Sequence, residues 1–344
     1  MNSNERQVNL ITLRSPVPVR YRKILHSISK IAQVHLITGT LFPTVHLRMK
    51  MDTVLAYATL IGKSFKRPGP ALVDNVALHS ALPRRKKDLV VDFRTPFPIE
   101  LAWLGHRSLA SLARAFQRIL QDLNLVLAAN ERMASLCNEL GAVSVQVIPN
   151  YPNRSFKPAV EPEKWKIQHG LVPEDRVVLF TGGVRVREIY GLDLLLESWK
   201  LVENSEISCV LVILGDDSNG YIKRRMQSLN IQRLLLPNRV VLNDVANWIN
   251  CTDVCLAPRT PGFPQHFYDD KDSTKISEYA ALKKPIVAAG YAPSSQYLLV
   301  DQNPEAFAEG IMKGLEGKIN HPQPHYWEEN EQSMLKLLED FWFR

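Results

Sequence analysis

Short apolar runs along the chain alternate with stretches in which apolar residues recur every three or four positions. In the first half, the runs that predict strands are Val8–Leu13, Val34–Thr38, Leu89–Phe93, Leu123–Ala128 and Val145–Ile148. The stretches that predict helices are Arg20–Ile31, Leu101–Leu120 and Asn130–Leu140. Buried strands that alternate with amphipathic helices are typical of a parallel sheet with helices on both faces. The first half therefore predicts a doubly wound α/β domain.

The second half repeats this pattern. Its predicted strands are Val177–Phe180, Cys209–Leu214, Val240–Leu242, Val254–Ala257 and Pro285–Ala288. Its predicted helices are Leu192–Leu201, Tyr221–Ser228, Val245–Asn250, Thr274–Ala281 and Glu305–Gly314. A cluster of Pro and Asn at 149–153 cannot continue regular structure, and it marks a domain boundary. We expect a first domain over 1–152, a second over 153–325, and a C-terminal helix in 326–344 that packs back across both.

Composition and charge narrow the class of protein. Hydrophobic residues make up 45% of the 344 and charged residues 22%, which is ordinary globular usage. Residues 1–150 hold 20 Lys and Arg against 9 Asp and Glu, a net of +11, whereas the remainder has a net of −4. Such an asymmetry indicates either an anionic partner for the first half or a solvated basic face.

One basic cluster stands out in the first half. Arg84–Lys87, together with Lys63, Lys66 and Arg67, fits a lipid phosphate or an anionic membrane surface. It lacks the interleaved aromatic residues on which single-stranded nucleic acid stacks. We therefore expect peripheral contact with an anionic membrane and no binding of nucleic acid.

The cysteines and the lengths of the apolar runs indicate the cellular compartment. The four cysteines form no Cys-x-x-Cys pair and have no histidine at metal-ligand spacing, so we expect no zinc site and a reducing cytosol. No signal peptide is recognisable, and no apolar run approaches the roughly 18 residues of a membrane span. The expected location is cytoplasmic, with peripheral contact at the cytoplasmic membrane face as an option.

The most informative motif surrounds the predicted helix at Thr274. Asp270 and Glu278 lie eight positions apart, with Ser273, Thr274 and Lys275 at the helix start between them. A helix N-terminus with free backbone N–H groups and a nearby lysine suits a phosphate. Glu278, one turn into the helix, can accept hydrogen bonds from ribose hydroxyls, and Asp270 can accept them from a sugar.

A second motif follows the predicted strand Val177–Phe180. Gly182 and Gly183 form a loop that permits close approach of a ligand, and Arg185 and Arg187 supply positive charge for a phosphate.

These motifs, over about residues 125–340, resemble the family 4 glycosyltransferases. The resemblance implies a GT-B fold, in which two Rossmann-like domains face a central cleft. It also implies a retaining transferase that moves a sugar from a nucleoside diphosphate sugar to a hydroxyl acceptor such as a lipid-linked or polysaccharide precursor, without metal or cofactor. The catalytic residues that it implies are Arg185, Asp270 and Glu278. The donor-binding residues that it implies are Gly182, Gly183, Arg187, Asn243, Val245, Ser273, Thr274 and Lys275.

The chain departs from the family pattern at several positions. Tyr190 replaces a lysine, and Asp270 stands where glutamate is common. In the first domain, the loop over 14–22 lacks glycine, and Asp92-x-Arg94 replaces a histidine. We expect Asp92 and Arg94 to be acceptor-side groups or members of a structural ion pair.

Four other functions remain open on the sequence. One is a non-catalytic sugar-nucleotide-binding subunit, and another is a nucleotide-sugar epimerase on the same fold. A metal-dependent transferase of the GT-A type would use Asp270-x-Asp272 to hold Mg²⁺. A Rossmann oxidoreductase is disfavoured because no G-x-G-x-x-G follows the first strand of either domain.

Overall fold

The computed structural model describes residues 6–14, 18–41, 51–82, 84–183, 187–237 and 240–343. The chain forms two units. The first comprises Met1–Asn150 and Glu328–Arg344, and the second comprises Tyr151–Trp327. The chain thus leaves the first unit after Asn150 and returns to it with its last helix.

Over the described residues, the first unit contains a six-stranded sheet in the order β2-β1-β3-β4-β5-β6, and all of its strand pairs are parallel. Its strands are β1 Gln7–Arg14, β2 Gln33–Leu41, β3 Ala71–Asp74, β4 Leu89–Phe93, β5 Val126–Ala128 and β6 Val145–Val147. Its helices are α1 Val19–Ile28, α2 Met51–Phe65, α3 Phe97–Trp103, α4 Arg107–Gln117 and α5 Glu131–Glu139.

The apolar pattern explains most of this unit. Strands β3, β4 and β5 are buried along their whole length, as central parallel strands are. The predicted helix Leu101–Leu120 divides into α3 and α4, because Gly105 between them takes a positive φ of 84°. The sequence patterns did not predict α2 or β3.

The second unit repeats the architecture over the described residues, with a six-stranded parallel sheet in the order β12-β11-β10-β7-β8-β9. Its strands are β7 Arg176–Thr181, β8 Cys209–Leu214, β9 Leu234–Leu235, β10 Val254–Pro258, β11 Ile286–Ala289 and β12 Leu298–Val300. Its helices are α6 Pro162–Gln168, α7 Arg187–Tyr190, α8 Leu192–Glu203, α9 Tyr221–Leu229, α10 Leu242–Asn250, α11 Thr274–Ala281 and α12 Pro304–Leu315. Two parallel α/β sheets confirm the predicted fold class.

One predicted strand of this unit is wrong. The run Val240–Leu242 is not a strand, because Leu242 is the first residue of α10 and the neighbouring edge strand is β9. Ala246, Trp248 and Ile249 of that helix are buried. The apolar run that suggested a strand leads directly into this helix.

The C-terminal helix, α13 Glu328–Phe343, belongs to the first unit. Met334 and Leu338, four positions apart, form its buried stripe. Glu331 accepts hydrogen bonds from Ser27 Oγ and Lys30 Nζ, each at 2.6 Å. Acidic residues of α13 thus neutralise part of the basic excess of the first half. Within the described residues, every helix is too short or too polar to cross a lipid bilayer.

One buried and one partly buried ion pair lie at the carboxyl edge of the first sheet. Arg20 on α1 donates from Nη2 to Asp92 Oδ1 at 2.6 Å and from Nη1 to the carbonyl of Ile148 at 2.8 Å. Arg94 donates from Nη2 to Asp74 Oδ2 at 2.7 Å. Asp92 and Arg94 are therefore each ion-paired, but with other residues and not with each other. The pair Arg20–Asp92 joins α1, β4 and the end of β6.

We predict that Arg20→Met will destabilise the first unit by about 3–5 kcal/mol, because it leaves the carboxylate of Asp92 buried without a cation. Lys30→Ala is the control, since it removes a half-exposed ion pair with Glu331 and should cost less than about 1 kcal/mol. Denaturant titration followed by circular dichroism measures both. An equal loss of unfolding free energy in the two variants would show that the buried pair stabilises the unit no more than the half-exposed one.

Candidate functional site

The N-terminus of α11 lies over the carboxyl end of the second sheet. Ser273 is the N-cap residue, but its side chain makes no capping hydrogen bond. The hydroxyl of Tyr279, six residues further along, accepts a hydrogen bond from the backbone N–H of Thr181 at 2.8 Å. This contact joins α11 to the end of β7, so the helix start is held beside the loop that follows β7.

Lys275, on the first turn of α11, is a buried lysine. Its side chain is 8% exposed, and Nζ lies 4.1 Å from the ring centre of Phe180 and 4.4 Å from that of Tyr190. Among the described residues, Nζ has no hydrogen-bond partner. Aromatic faces attract an ammonium group, but they do not replace the hydrogen bonds that it loses on leaving water.

The charges around Lys275 do not compensate for this burial. Burial lowers the pKa of Lys275 well below its usual value, the charge of Arg259 lowers it further, and Glu278 opposes both. Buried charged groups without a hydrogen-bonded counter-ion are rare in folded proteins, because their desolvation is costly. The site therefore suits an anionic ligand that brings the missing acceptors.

Gly182 leaves space beside this ammonium. A Cβ atom on Gly182 would lie 3.0 Å from Lys275 Nζ and 3.0 Å from Phe180 Cζ. The backbone N–H of Gly182 donates to the carbonyl of Leu214 at 3.1 Å, which fixes the loop on the sheet. Any side chain at this position would enter the space around Nζ. Gly183, which follows, is exposed.

Arg259, which the sequence motifs did not indicate, is a second buried cation. It follows β10 and is 6% exposed. Its guanidinium carbon lies 4.0 Å from the ring centre of Tyr268, 4.6 Å from that of Tyr291 and 4.8 Å from that of Phe263. Among the described residues, its Nε has no hydrogen-bond partner. An arginine held by three rings with an open donor is a further group that an anion can use.

Two glycines make room for Arg259. Gly191 has a φ of 56°, and a Cβ there would lie 2.7 Å from the backbone carbonyl carbon of Arg259. Gly290 has a φ of 77°, and a Cβ there would lie 2.9 Å from Arg259 Cβ. Gln302 Nε2 donates to the carbonyl of Arg259 at 3.1 Å. The backbone of Arg259 is thus fixed from three sides, which orients its side chain.

The other predicted donor-site residues differ in their exposure and in their position on the helices. Glu278 is buried one turn beyond Lys275, about 60° around the helix, so the two share a face. Thr274 is half-buried in the first turn of α11. Asn243, which is exposed, and Val245, which is half-buried, lie in the first turn of α10.

Two predicted cations lie wholly or partly outside the described residues. Arg185 lies outside the described residues. Arg187 is the first residue of α7, and its side chain also lies outside the described part of the chain.

Asp270 is not part of the cluster around Lys275. It accepts a hydrogen bond from Ser294 Oγ at 2.5 Å. It lines a small pocket with Tyr151, Ser277, Ala280, Gln296, Gln323 and His325. Ser277 and Ala280 are about 200° and 140° around α11 from Lys275, so this pocket lies on another side of the helix. Asp272, the other carboxylate of the Asp-x-Asp motif, accepts from the backbone N–H of Asp269 at 2.7 Å.

The acceptor-side candidates belong to the first unit. Both oxygens of Asp92 accept hydrogen bonds from Arg20, and Arg94 pairs with Asp74. His79, a buried histidine of the same unit, is neutral at pH 7, because burial lowers its pKa to about 4. The described contacts give these groups structural roles, and an acceptor contact remains a prediction.

We predict that Lys275→Met will raise the free energy of unfolding of the ligand-free protein by about 1–2 kcal/mol at pH 7, because it removes an ammonium that is buried without a counter-ion. The lowered pKa in the folded state means that the unfolded chain binds more protons. The gain should therefore be complete at pH values below the folded pKa and should disappear as pH approaches 10.5.

Denaturant titration at several pH values checks this expectation. Lys313→Met, an exposed lysine of α12, serves as the control and should change stability little at any pH. A less stable Lys275→Met protein at neutral pH would contradict the interpretation, since it would mean that the ammonium is already compensated in the folded chain.

Residues 175–316, within the second unit, match the family described as glycosyl transferases group 1. No curated protein gives a significant match to the chain.

Several solved structures share the whole fold at low sequence identity. Sucrose-phosphate synthase from Thermosynechococcus elongatus is 13% identical, with a TM-score of 0.75 over 97% of this chain and 98% of that one. WaaG, a glycosyltransferase involved in lipopolysaccharide biosynthesis, is 14% identical, with a TM-score of 0.66 over 97% and 96%. HepE from Anabaena, in complex with UDP and glucose, is 13% identical, with a TM-score of 0.64 over 98% and 95%.

The structural likenesses show the fold, and the family match covers residues 175–316 of the second unit. Together they confirm the resemblance that the sequence motifs indicated. The chain has the GT-B fold, and residues 175–316 of its second unit match the glycosyl transferases group 1 family.

Proposed function

We propose that the chain transfers a sugar from a nucleoside diphosphate sugar to a hydroxyl acceptor, and that the diphosphate binds at the N-terminus of α11. The observation that carries this proposal is the buried ammonium of Lys275, which has no hydrogen-bond partner among the described residues. Phosphate oxygens supply both the negative charge and the acceptors that this group lacks. The uncapped helix start adds backbone N–H groups and a positive dipole end.

Arg259 favours a diphosphate over a single phosphate. The charge of Arg259 is close enough to Lys275 to lower its pKa, so the two cations act on one region. Each can neutralise one phosphate of a diphosphate. The donor that we propose is a uridine diphosphate sugar, in keeping with the UDP that accompanies HepE.

Charge stabilisation is the main catalytic contribution in this proposal. When the sugar–phosphate bond breaks, negative charge grows on the departing diphosphate, and Lys275, Arg259 and the helix N-terminus stabilise it. Glu278 accepts hydrogen bonds from the ribose hydroxyls. Arg185 adds a further cation, as the family resemblance implies. We further propose retention of the anomeric configuration: the acceptor oxygen bonds to the sugar on the face from which the diphosphate departs, and the departing phosphate takes the proton of the acceptor hydroxyl.

Lys275 also accounts for the tyrosine that replaces a lysine in the family pattern. The ammonium of Lys275 lies 4.4 Å from the ring centre of Tyr190. Lys275 therefore places a positive charge next to position 190, although it comes from a different helix. This geometry favours an active transferase over a non-catalytic binding subunit.

The wider setting is proposed on the same basis. The acceptor is a hydroxyl group of a lipid-linked or polysaccharide precursor, and the location is cytoplasmic with peripheral contact at an anionic membrane. In this proposal the donor contacts Gly183, Arg187, Asn243 and Val245. Asp270 keeps the contact with the sugar that the family resemblance implies, although it lines a pocket on another side of α11 from Lys275.

A panel of nucleotide sugars in thermal-shift and titration measurements tests the donor site. One nucleoside diphosphate sugar at 100 times its Kd should stabilise the wild-type chain by about 2.7 kcal/mol. Lys275→Met and Arg259→Gln should each weaken its binding at least about tenfold, because each removes a charge-assisted hydrogen bond to phosphate. Unchanged affinity in both variants would refute the proposed site.

Glu278→Gln separates ribose recognition from phosphate recognition. It should weaken the nucleotide sugar and abolish most transfer, while the affinity for inorganic pyrophosphate stays unchanged. Glu309→Gln on the exposed face of α12 is the matched control and should leave every measurement unchanged. Full transfer by Glu278→Gln would remove Glu278 from the site.

We predict that transfer will persist in excess EDTA, because Lys275 and Arg259 are fixed cations that neutralise the diphosphate. Rate measurements with EDTA, with and without added Mg²⁺, test this. Complete inhibition that Mg²⁺ reverses would instead assign a metal to Asp270 and Asp272.

A further inference from the structure

The basic cluster of the first unit is only partly available to a partner. Arg84 donates from Nη1 to the carbonyl of Gly69 at 2.7 Å and from Nη2 to the carbonyl of Arg67 at 2.8 Å. Lys86 donates to the carbonyl of Gln121 at 2.7 Å. Burial also lowers the pKa of Arg84. Arg84 is therefore a structural residue that ties two loops together.

The same hydrogen bonds bring two exposed apolar residues to one edge of the unit. Phe65, the last residue of α2, is 62% exposed, and Leu82 is 57% exposed. Their neighbours are joined: Ser64 Oγ donates to the carbonyl of Ser80 at 2.8 Å, and Arg84 Nη2 donates to Ser64 Oγ at 3.2 Å. The end of α2 and the segment after Ala81 thus form one continuous surface.

Positive charge surrounds this apolar pair. Lys66 and Arg67 follow Phe65, and Arg85 and Lys87 follow Leu82, and all four side chains are exposed. We name this surface, formed by Phe65, Lys66, Arg67, Leu82, Arg85 and Lys87, the α2 edge. A solvated basic face has no need of exposed Phe and Leu at its centre, whereas a bilayer surface takes up both kinds of side chain.

We infer, building on the membrane contact proposed above, that the α2 edge docks on an anionic lipid bilayer, with Phe65 and Leu82 inserted at the level of the headgroups. The four exposed cations complement the negative charge of the lipids, and each contributes about 1 kcal/mol near such a surface. The apolar pair adds a contribution that salt does not screen. A soluble polyanion would use the cations alone.

Vesicle flotation tests the two contributions separately. Wild-type protein should float with vesicles that contain about 30% phosphatidylglycerol and not with pure phosphatidylcholine. Arg85→Ser/Lys87→Ser should bind about 30-fold more weakly at low salt, as expected for the loss of two such cations. Phe65→Ser/Leu82→Ser should bind about tenfold more weakly at low and high salt alike.

Matched controls lie on the second unit. Lys164→Ser/Lys223→Ser removes the same charge from exposed positions, and Val172→Ser removes an exposed apolar side chain. Both should bind like the wild type. Heparin, as a soluble polyanion, should lose affinity with the charge pair and keep it with the apolar pair. Wild-type vesicle binding by the Phe65/Leu82 variant would overturn the proposed insertion of the apolar pair. A wild-type protein that binds heparin but does not float with anionic vesicles would overturn the inference and leave a soluble polyanion as the partner.

A site-directed label reports on insertion itself. Phe65→Cys labelled with an environment-sensitive dye should shift to shorter wavelength on anionic vesicles, and Val143→Cys should not. The four native cysteines are buried, which favours selective labelling. Nucleotide-sugar binding by all variants should equal that of the wild type, so failure of the donor site and failure of the α2 edge are distinguishable.

Discussion

The burial of the Lys275 ammonium is the main physical constraint on the second unit. The ammonium is held between Phe180 and Tyr190, out of contact with water, and among the described residues it has no hydrogen-bond partner. A lysine in such a position destabilises the ligand-free fold, because desolvation is not offset by a counter-ion. The diphosphate that we propose as ligand would supply the negative charge and the hydrogen-bond acceptors that this group lacks.

Several structural features serve to keep this ammonium in place. Tyr279 ties α11 to Thr181 at the end of β7, which positions both Lys275 on the helix and Gly182 on the adjoining loop. The absence of a side chain at Gly182 leaves the space beside Nζ open. Gly191 plays the same part for Arg259, since a Cβ there would overlap the backbone of that arginine. The glycines thus matter for the access that they give and not only for their flexibility.

The sequence predicted those features that depend on local pattern. Strand β8 and helix α11 were predicted to the residue, because buried strands and an N-cap with a following amphipathic turn leave clear local signals. The run Val240–Leu242 misled, since three apolar residues cannot distinguish a strand from a helix start. Arg259 left no signal, because its aromatic neighbours come from two separate segments. Nearby Pro, Gly and Asp residues gave this segment the look of an ordinary surface loop.

The cations of the two units differ in their neighbours: those of the first unit are ion-paired, and those of the second unit lie against aromatic rings. In the first unit, Arg20 and Arg94 each meet a carboxylate at 2.6–2.7 Å, so their charges are already compensated and hold the fold together. In the second unit, Lys275 and Arg259 meet aromatic rings, and no ion pair to either is seen among the described residues. A carboxylate in their place would stabilise the ligand-free protein but would compete with phosphate for the same donors. Aromatic rings hold a cation without using up its hydrogen bonds, so the positive charge of the second unit stays available for the donor that we propose.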